Sequence, residues 1–286
     1  MQYADHFFRS ADDRLDLYAR IHDGEGPPLL LMHGLTRNSA DFEALAGHLS
    51  GKYRLIVPDQ RGRGRSDHDP DPQNYTPAIY VADMFALIDA LDLDRIGLIG
   101  TSMGGLMAMM MAAMAPARFD SLILNDIGPA VEAAGLDRIQ SYVGAIAPFD
   151  SWQQAADHCR TVHGSSFPDY TAEDWLAFAR HVCKERSDGT ISFAYDPAIS
   201  AGLSGSEQTV VPPDLWAVWD QLSDLPALVI RGAFSDILSP ATVAEMKRRH
   251  PANFSAVEIA DRGHTPMLDE PEALAAIDRF YADLAR

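Results

Sequence analysis

Apolar runs of strand length alternate with helical patterns along this chain, and that alternation limits its folds to a few. Leu29-Leu30-Leu31-Met32 is short, continuous and apolar. Such a run suits a strand buried on both faces. Tyr53 to Val57, Arg95 to Ile99, Ser121 to Asn125, Ala227 to Ile230 and Phe254 to Ile259 read as further strands. Between them, Phe42, Leu45, Ala46 and Leu49 recur at helical spacing within 39–50, as do Met84, Leu87, Ile88 and Leu91 within 79–91. Helices are also expected from Met103, from Ser239-Pro240 and from Glu270, where Leu274, Ile277, Tyr281 and Leu284 form one face. Strands alternating with helices predict a mainly parallel sheet covered on both sides. Residues 6–10 and 14–21 predict a hairpin around Ala11-Asp12-Asp13.

The alternation stops near Gly128-Pro129 and resumes near 221. All four tryptophans (Trp152, Trp175, Trp216 and Trp219) fall in the interval. The chain of 286 residues therefore reads as an α/β core, 1–129 and 221–286, with a mostly helical insertion at 130–220. A net charge of −18 disfavours nucleic acid and anionic membranes as partners. The apolar stretch Leu106 to Ala115 is too short to span a bilayer, and the N-terminus has no secretory pattern. Two cysteines, Cys159 and Cys183, make no disulfide framework and fit a reduced, cytoplasmic chain. No spacing of His or Cys suggests a metal, no cofactor is expected, and no motif specifies an oligomeric state.

Chemistry enters at Gly100-Thr101-Ser102-Met103-Gly104, a G-x-S-x-G set between a strand and a helix. A serine at such a bend projects its oxygen above the sheet, and the small residues two before and two after let strand and helix pass closely. A hydroxyl is a poor nucleophile without a base, and the base needs an orienting carboxylate. Asp236, in the loop after strand 227–231, and His264, after strand 254–259, follow in the order serine, acid, histidine. Asp126, directly after strand 121–125, ends on the same sheet edge and is the alternative acid. Acyl transfer also needs donors for the developing oxyanion. The backbone N–H groups of Met103, at a helix start, and Leu35, after strand 29–32, are the candidates. His33 reads as a brace for that loop, and the arginines of Gln60-Arg61-Gly62-Arg63-Gly64-Arg65 read as partners for carboxylates.

Together, His33-Gly34, Asp59-Gln60-Arg61-Gly62 with Gly64 and Ser66, the Gly100–Gly104 turn, Asp236, and Gly263-His264 followed by Pro266 and Glu270-Pro271 resemble the α/β-hydrolase superfamily over essentially the whole chain. The resemblance implies an eight-stranded, mostly parallel sheet with a helical cap inserted after strand six. It also implies Ser102, Asp236 and His264 as the triad, and Leu35 and Met103 as the oxyanion hole. The nucleophile is serine, unlike the aspartate of haloalkane dehalogenases and soluble epoxide hydrolases. The expected activity is hydrolysis of a small or medium carboxylic ester with an apolar or aromatic acyl group. Trp175 and Trp216 are the tentative pocket residues. Carbon–carbon bond hydrolases, lactonases, perhydrolases and acyltransferases share the same triad. A ligand receptor on the same fold is the alternative of another class.

Overall fold

The computed structural model describes residues 2–203 and 215–285. It opens with β1 (Ala4–Arg9) and β2 (Asp16–His22), then β3 (Gly24–Met32), α1 (Glu43–Leu49), β4 (Gly51–Asp59) and α2 (Pro77–Ala90). There follow β5 (Ile96–Thr101), α3 (Met103–Met114) and β6 (Phe119–Asn125). After β6 come α4 (Ala133–Tyr142), α5 (Trp152–His163), α6 (Ala172–Val182), the strands β7 (Cys183–Glu185) and β8 (Ile191–Phe193), and α7 (Trp216–Asp220). The chain then returns through β9 (Ala227–Gly232), α8 (Pro240–Arg249), β10 (Phe254–Ile259) and α9 (Pro271–Leu284).

Eight strands form one sheet in the order β1-β2-β4-β3-β5-β6-β9-β10. β2 runs antiparallel to both β1 and β4, and every other pairing in this sheet is parallel. The apolar run at 29–32 marks only the buried half of β3, which begins at Gly24 with exposed and half-buried residues. Its alternate side chains go to opposite faces. Leu30 and Met32 join the cluster holding Met84 of α2 and Leu106 of α3. Leu29 and Leu31 join the one holding Leu45 of α1 and Ile277 of α9. A central strand buried on both faces is thus apolar at every position.

The segment between β6 and β9 has a small core of its own. Phe167, Trp175, Phe178, Cys159, Cys183 and Ile191 pack together there. It also contains an antiparallel hairpin, β7 with β8, that the sequence pattern did not reveal. Three-residue strands are too short to leave a period. At its far end α7 packs against α3, and Trp219 is fully buried in the main core. Its indole N–H donates to the Met246 carbonyl.

The arginine-rich loop after β4 is mostly tied to carboxylates, as expected. Arg61 is fully buried and bonds Asp83 through Nε and Nη2 and Asp69 through Nη1. Arg65 pairs with Asp5. Arg63 departs from the pattern and has no carboxylate partner among the described residues. Among the described residues, no helix is long and apolar enough to cross a membrane.

Candidate active site

Ser102 stands between β5 and α3 with φ 51° and ψ −115°. A non-glycine residue at positive φ is strained and persists only where its surroundings fix it. The surroundings here are close-packed backbone. A Cβ added at Gly104 would fall 2.0 Å from the Met32 carbonyl oxygen, and one at Gly100 would fall 2.4 Å from that of Gly104. The Ser102 N–H donates to the Asn125 carbonyl at 3.0 Å, while its own carbonyl accepts from Gly105 and Leu106. The turn is thereby clamped from both sides, with its side chain on the carboxyl edge of the sheet.

His264 reaches this edge from the loop after β10. Its Nε2 is 2.9 Å from Ser102 Oγ. Its Nδ1 is 2.7 Å from Asp126 Oδ2. The carboxylate on the imidazole is therefore that of Asp126, and the expectation for Asp236 is corrected. Asp126 follows β6 without an intervening residue and is fully buried. Its N–H donates to the Ile230 carbonyl, and its Oδ1 accepts from Gly232 N–H at 2.8 Å. Ser235 donates to Oδ2 at 2.6 Å. These bonds pull the side chain inward, toward the imidazole. Asp236 sits four positions beyond the end of β9, and its carboxylate is gripped at both oxygens by Arg138 of α4, at 2.5 and 2.8 Å. The adjacent guanidinium holds the Asp236 carboxyl below the usual carboxylate range.

The loop after β3 completes the arrangement. A Cβ at Gly34 would stand 3.7 Å from Ser102 Cβ, so this loop runs beside the serine. His33 Nδ1 bonds the Gly34 carbonyl at 2.7 Å, and Nε2 accepts from the Gln60 N–H at 3.0 Å. Burial pushes His33 down to about 3, which keeps it neutral, as this acceptor role requires. The Gly34 carbonyl and the Leu35 N–H belong to one trans peptide, so fixing the carbonyl inward turns the N–H to the opposite side. Neither the Leu35 nor the Met103 N–H has a protein acceptor among the described residues. At Met103 this follows from its place as the first residue of α3.

A cleft opens at Ser102 between this loop and the inserted segment. Arg37, Ile139, Tyr142, His163, Phe167 and Thr265 contribute to its wall. Trp175 and Trp216 do not, and their expected pocket role is corrected. Trp175 is buried in the segment's own core. Trp216 packs against the main core with the Arg249 guanidinium 4.5 Å from its ring. Tryptophan's large apolar area favours such packing positions. Burial, with the Arg37 and Arg138 charges nearby, lowers His163 to about 3, so the cleft wall carries a neutral imidazole. No group of His, Cys, Asp and Glu that could hold a metal occurs among the described residues.

Sequence reasoning missed Ser235, Arg138 and the wall residues of α4 and α5. Ser235 adjoins a residue that was considered, and the signal lay in its hydroxyl. The others sit on amphipathic helices whose docking face no local pattern specifies.

A family model described as the alpha/beta hydrolase fold matches residues 27–271. The chain is 34% identical over 258 residues to the 3-hydroxybutyrate-oligomer hydrolase of Cupriavidus necator, covering 88% of this chain and 87% of that protein. It is 29% identical to Esterase YbfF of Escherichia coli, covering 90% and 93%. An alpha/beta hydrolase of Novosphingobium aromaticivorans, solved by crystallography, superposes with a TM-score of 0.91 at 40% identity over 98% of both chains.

Proposed function

The chain belongs to the α/β-hydrolase fold family, and we propose that within it the protein is a serine-dependent carboxylic-ester hydrolase. Its hydrolase relatives support an enzyme of this class. One observation carries the finer reading: Ser102 Oγ, the His264 imidazole and the Asp126 carboxylate form an unbroken hydrogen-bonded line at 2.9 and 2.7 Å. Two backbone N–H groups, of Leu35 and Met103, have no protein acceptor among the described residues.

In this reading His264 Nε2 accepts the Ser102 proton as Oγ attacks the ester carbonyl. Asp126 holds the Nδ1–H tautomer and stabilises the imidazolium that forms. The Leu35 and Met103 N–H groups receive the oxyanion, helped by the positive end of α3. The imidazolium returns its proton to the leaving alcohol. Water activated by His264 then releases the acid and regenerates the serine. The segment at 130–220 acts as the cap over the site, with cleft-facing residues on α4, at the end of α5 and at Phe167 beyond it. The likeness to a 3-hydroxybutyrate-oligomer hydrolase supports short hydroxyacid esters and oligomers as the first substrates to assay.

A fluorophosphonate probe should label wild-type protein at Ser102, and short acyl p-nitrophenyl esters should turn over. Ser102→Ala should lose the adduct and about 10⁴-fold or more of the activity while keeping its melting temperature. An unlabelled, correctly folded wild type would favour a non-catalytic binding protein. Activity retained in the alanine variant would refute the nucleophile.

A further inference from the structure

Two arginines of the loop after β4 are equally buried and differently used. Arg61 meets the carboxylates of Asp69 and Asp83 and, at 3.5 Å, that of Asp12. Arg63 is also wholly buried, yet no carboxylate lies within ion-pair distance of it among the described residues. Its guanidinium donates to neutral acceptors, two of them backbone oxygens: Nε to the Leu35 carbonyl at 2.9 Å and Nη1 to the Arg61 carbonyl at 2.8 Å. The rings of Tyr80 and Tyr75 stand 4.6 and 5.7 Å from its centre. Its Nη2 is 4.0 Å from Met103 Sδ. A buried, unpaired charge is expensive, because desolvation is repaid only in part by neutral acceptors and aromatic faces.

The position of that charge supplies a reason for keeping it. Arg63 touches both residues whose N–H groups are offered to the oxyanion, Leu35 through its carbonyl and Met103 through its side chain. We propose that Arg63 is a positioning residue for the oxyanion site, fixing the Leu35 peptide and placing an uncompensated positive charge behind the point where negative charge develops. This rests on the serine-hydrolase reading above. The Leu35 carbonyl belongs to the peptide after the one that carries the Leu35 N–H. Arg63 and His33 thus hold the two successive peptides of this loop. A fixed charge in a dry site acts with little screening and needs no reorganisation during the reaction. An ion-paired arginine would give less field, since a carboxylate beside it would cancel most of the charge at that distance.

The test uses full-length wild type, Arg63→Met and Arg63→Lys. Methionine keeps much of the apolar stem and removes the charge. Lysine keeps the charge and loses the fork. kcat and KM are measured on p-nitrophenyl butyrate, together with the affinity of a trifluoromethyl ketone, whose serine adduct carries an oxyanion, and with the melting temperature. Arg63→Met should lose about 10²-fold in kcat with KM within about threefold, and ketone affinity should fall in parallel. Arg63→Lys should recover part of both losses. If Arg63→Met does not fold, Arg63→Lys alone decides: reduced kcat with unchanged KM and weakened ketone binding supports the role, and wild-type values for both overturn it. Arg63→Met with wild-type kcat, or with a raised KM and unchanged ketone affinity, also overturns it while leaving the serine reading intact. Wild-type protein with neither ester turnover nor an adduct at Ser102 would overturn both.

Discussion

Two acidic loops end neighbouring parallel strands on one edge of the sheet, and they serve different partners. After β6, Asp126 is fully buried and bonded to His264. After β9, Asp236 keeps about a third of its side chain exposed and bonds Arg138 of α4. Residue type and sheet edge are the same in both. The difference is depth: Asp126 leaves its strand directly into the crevice, whereas the chain around Asp236 has already turned out to meet the inserted segment. Ser235 joins the two loops, since its hydroxyl reaches from the outer one to the inner carboxylate. One acid thus holds the His264 imidazole, and the other ties the inserted segment to the core.

Exchanging each carboxylate for its amide should separate these roles. Asp126→Asn should lower kcat by about 10³- to 10⁴-fold, because an amide favours the wrong imidazole tautomer. A loss below tenfold, measured with the same short ester, would return the orienting role to Asp236. Ser235→Ala removes a charge-assisted hydrogen bond from Asp126 and should lower kcat by about tenfold, read from steady-state kinetics. Unchanged kcat there would show that the backbone donor from Gly232 suffices. Asp236→Asn should leave kcat within about threefold and cost about 1 kcal/mol or less of stability, as partly exposed pairs do, measured by denaturant melts.

The smallest effect is on pH. The folded Asp236 carboxyl lies below its ordinary value of 3.8 because of Arg138. A depressed carboxylate contributes stability above the unfolded value and loses it as pH falls through the folded one. The stability gap between wild type and Asp236→Asn should therefore stay flat between about pH 6 and 8 and close below about pH 3.5. A gap that closed near neutrality would place the pH dependence on another group.

Much of this was legible along the chain. The main strands of the core could be placed because a strand covered on both sides must be apolar throughout, as in Leu29 to Met32. Ser102 and His264 were legible because one needs glycines around a strained bend and the other follows the last strand. The choice between Asp126 and Asp236 was not legible. It turned on Arg138, which is about a hundred residues away from Asp236 and whose helix carries no mark of where it docks. The tryptophans misled for a similar reason. Trp175 and Trp216 pack on two separate cores, and composition alone cannot say which surface a large apolar ring will face.

Local order, meaning which segments are strands or helices and where the backbone must bend, was written in periodicity and in small residues, because those are properties of neighbours in the chain. Which carboxylate meets the imidazole, and which arginine holds the Leu35 carbonyl with no carboxylate partner among the described residues, depended on contacts between segments distant in sequence. Such choices follow from the packing of the whole, where a side chain's partner is set by depth and direction at a shared edge.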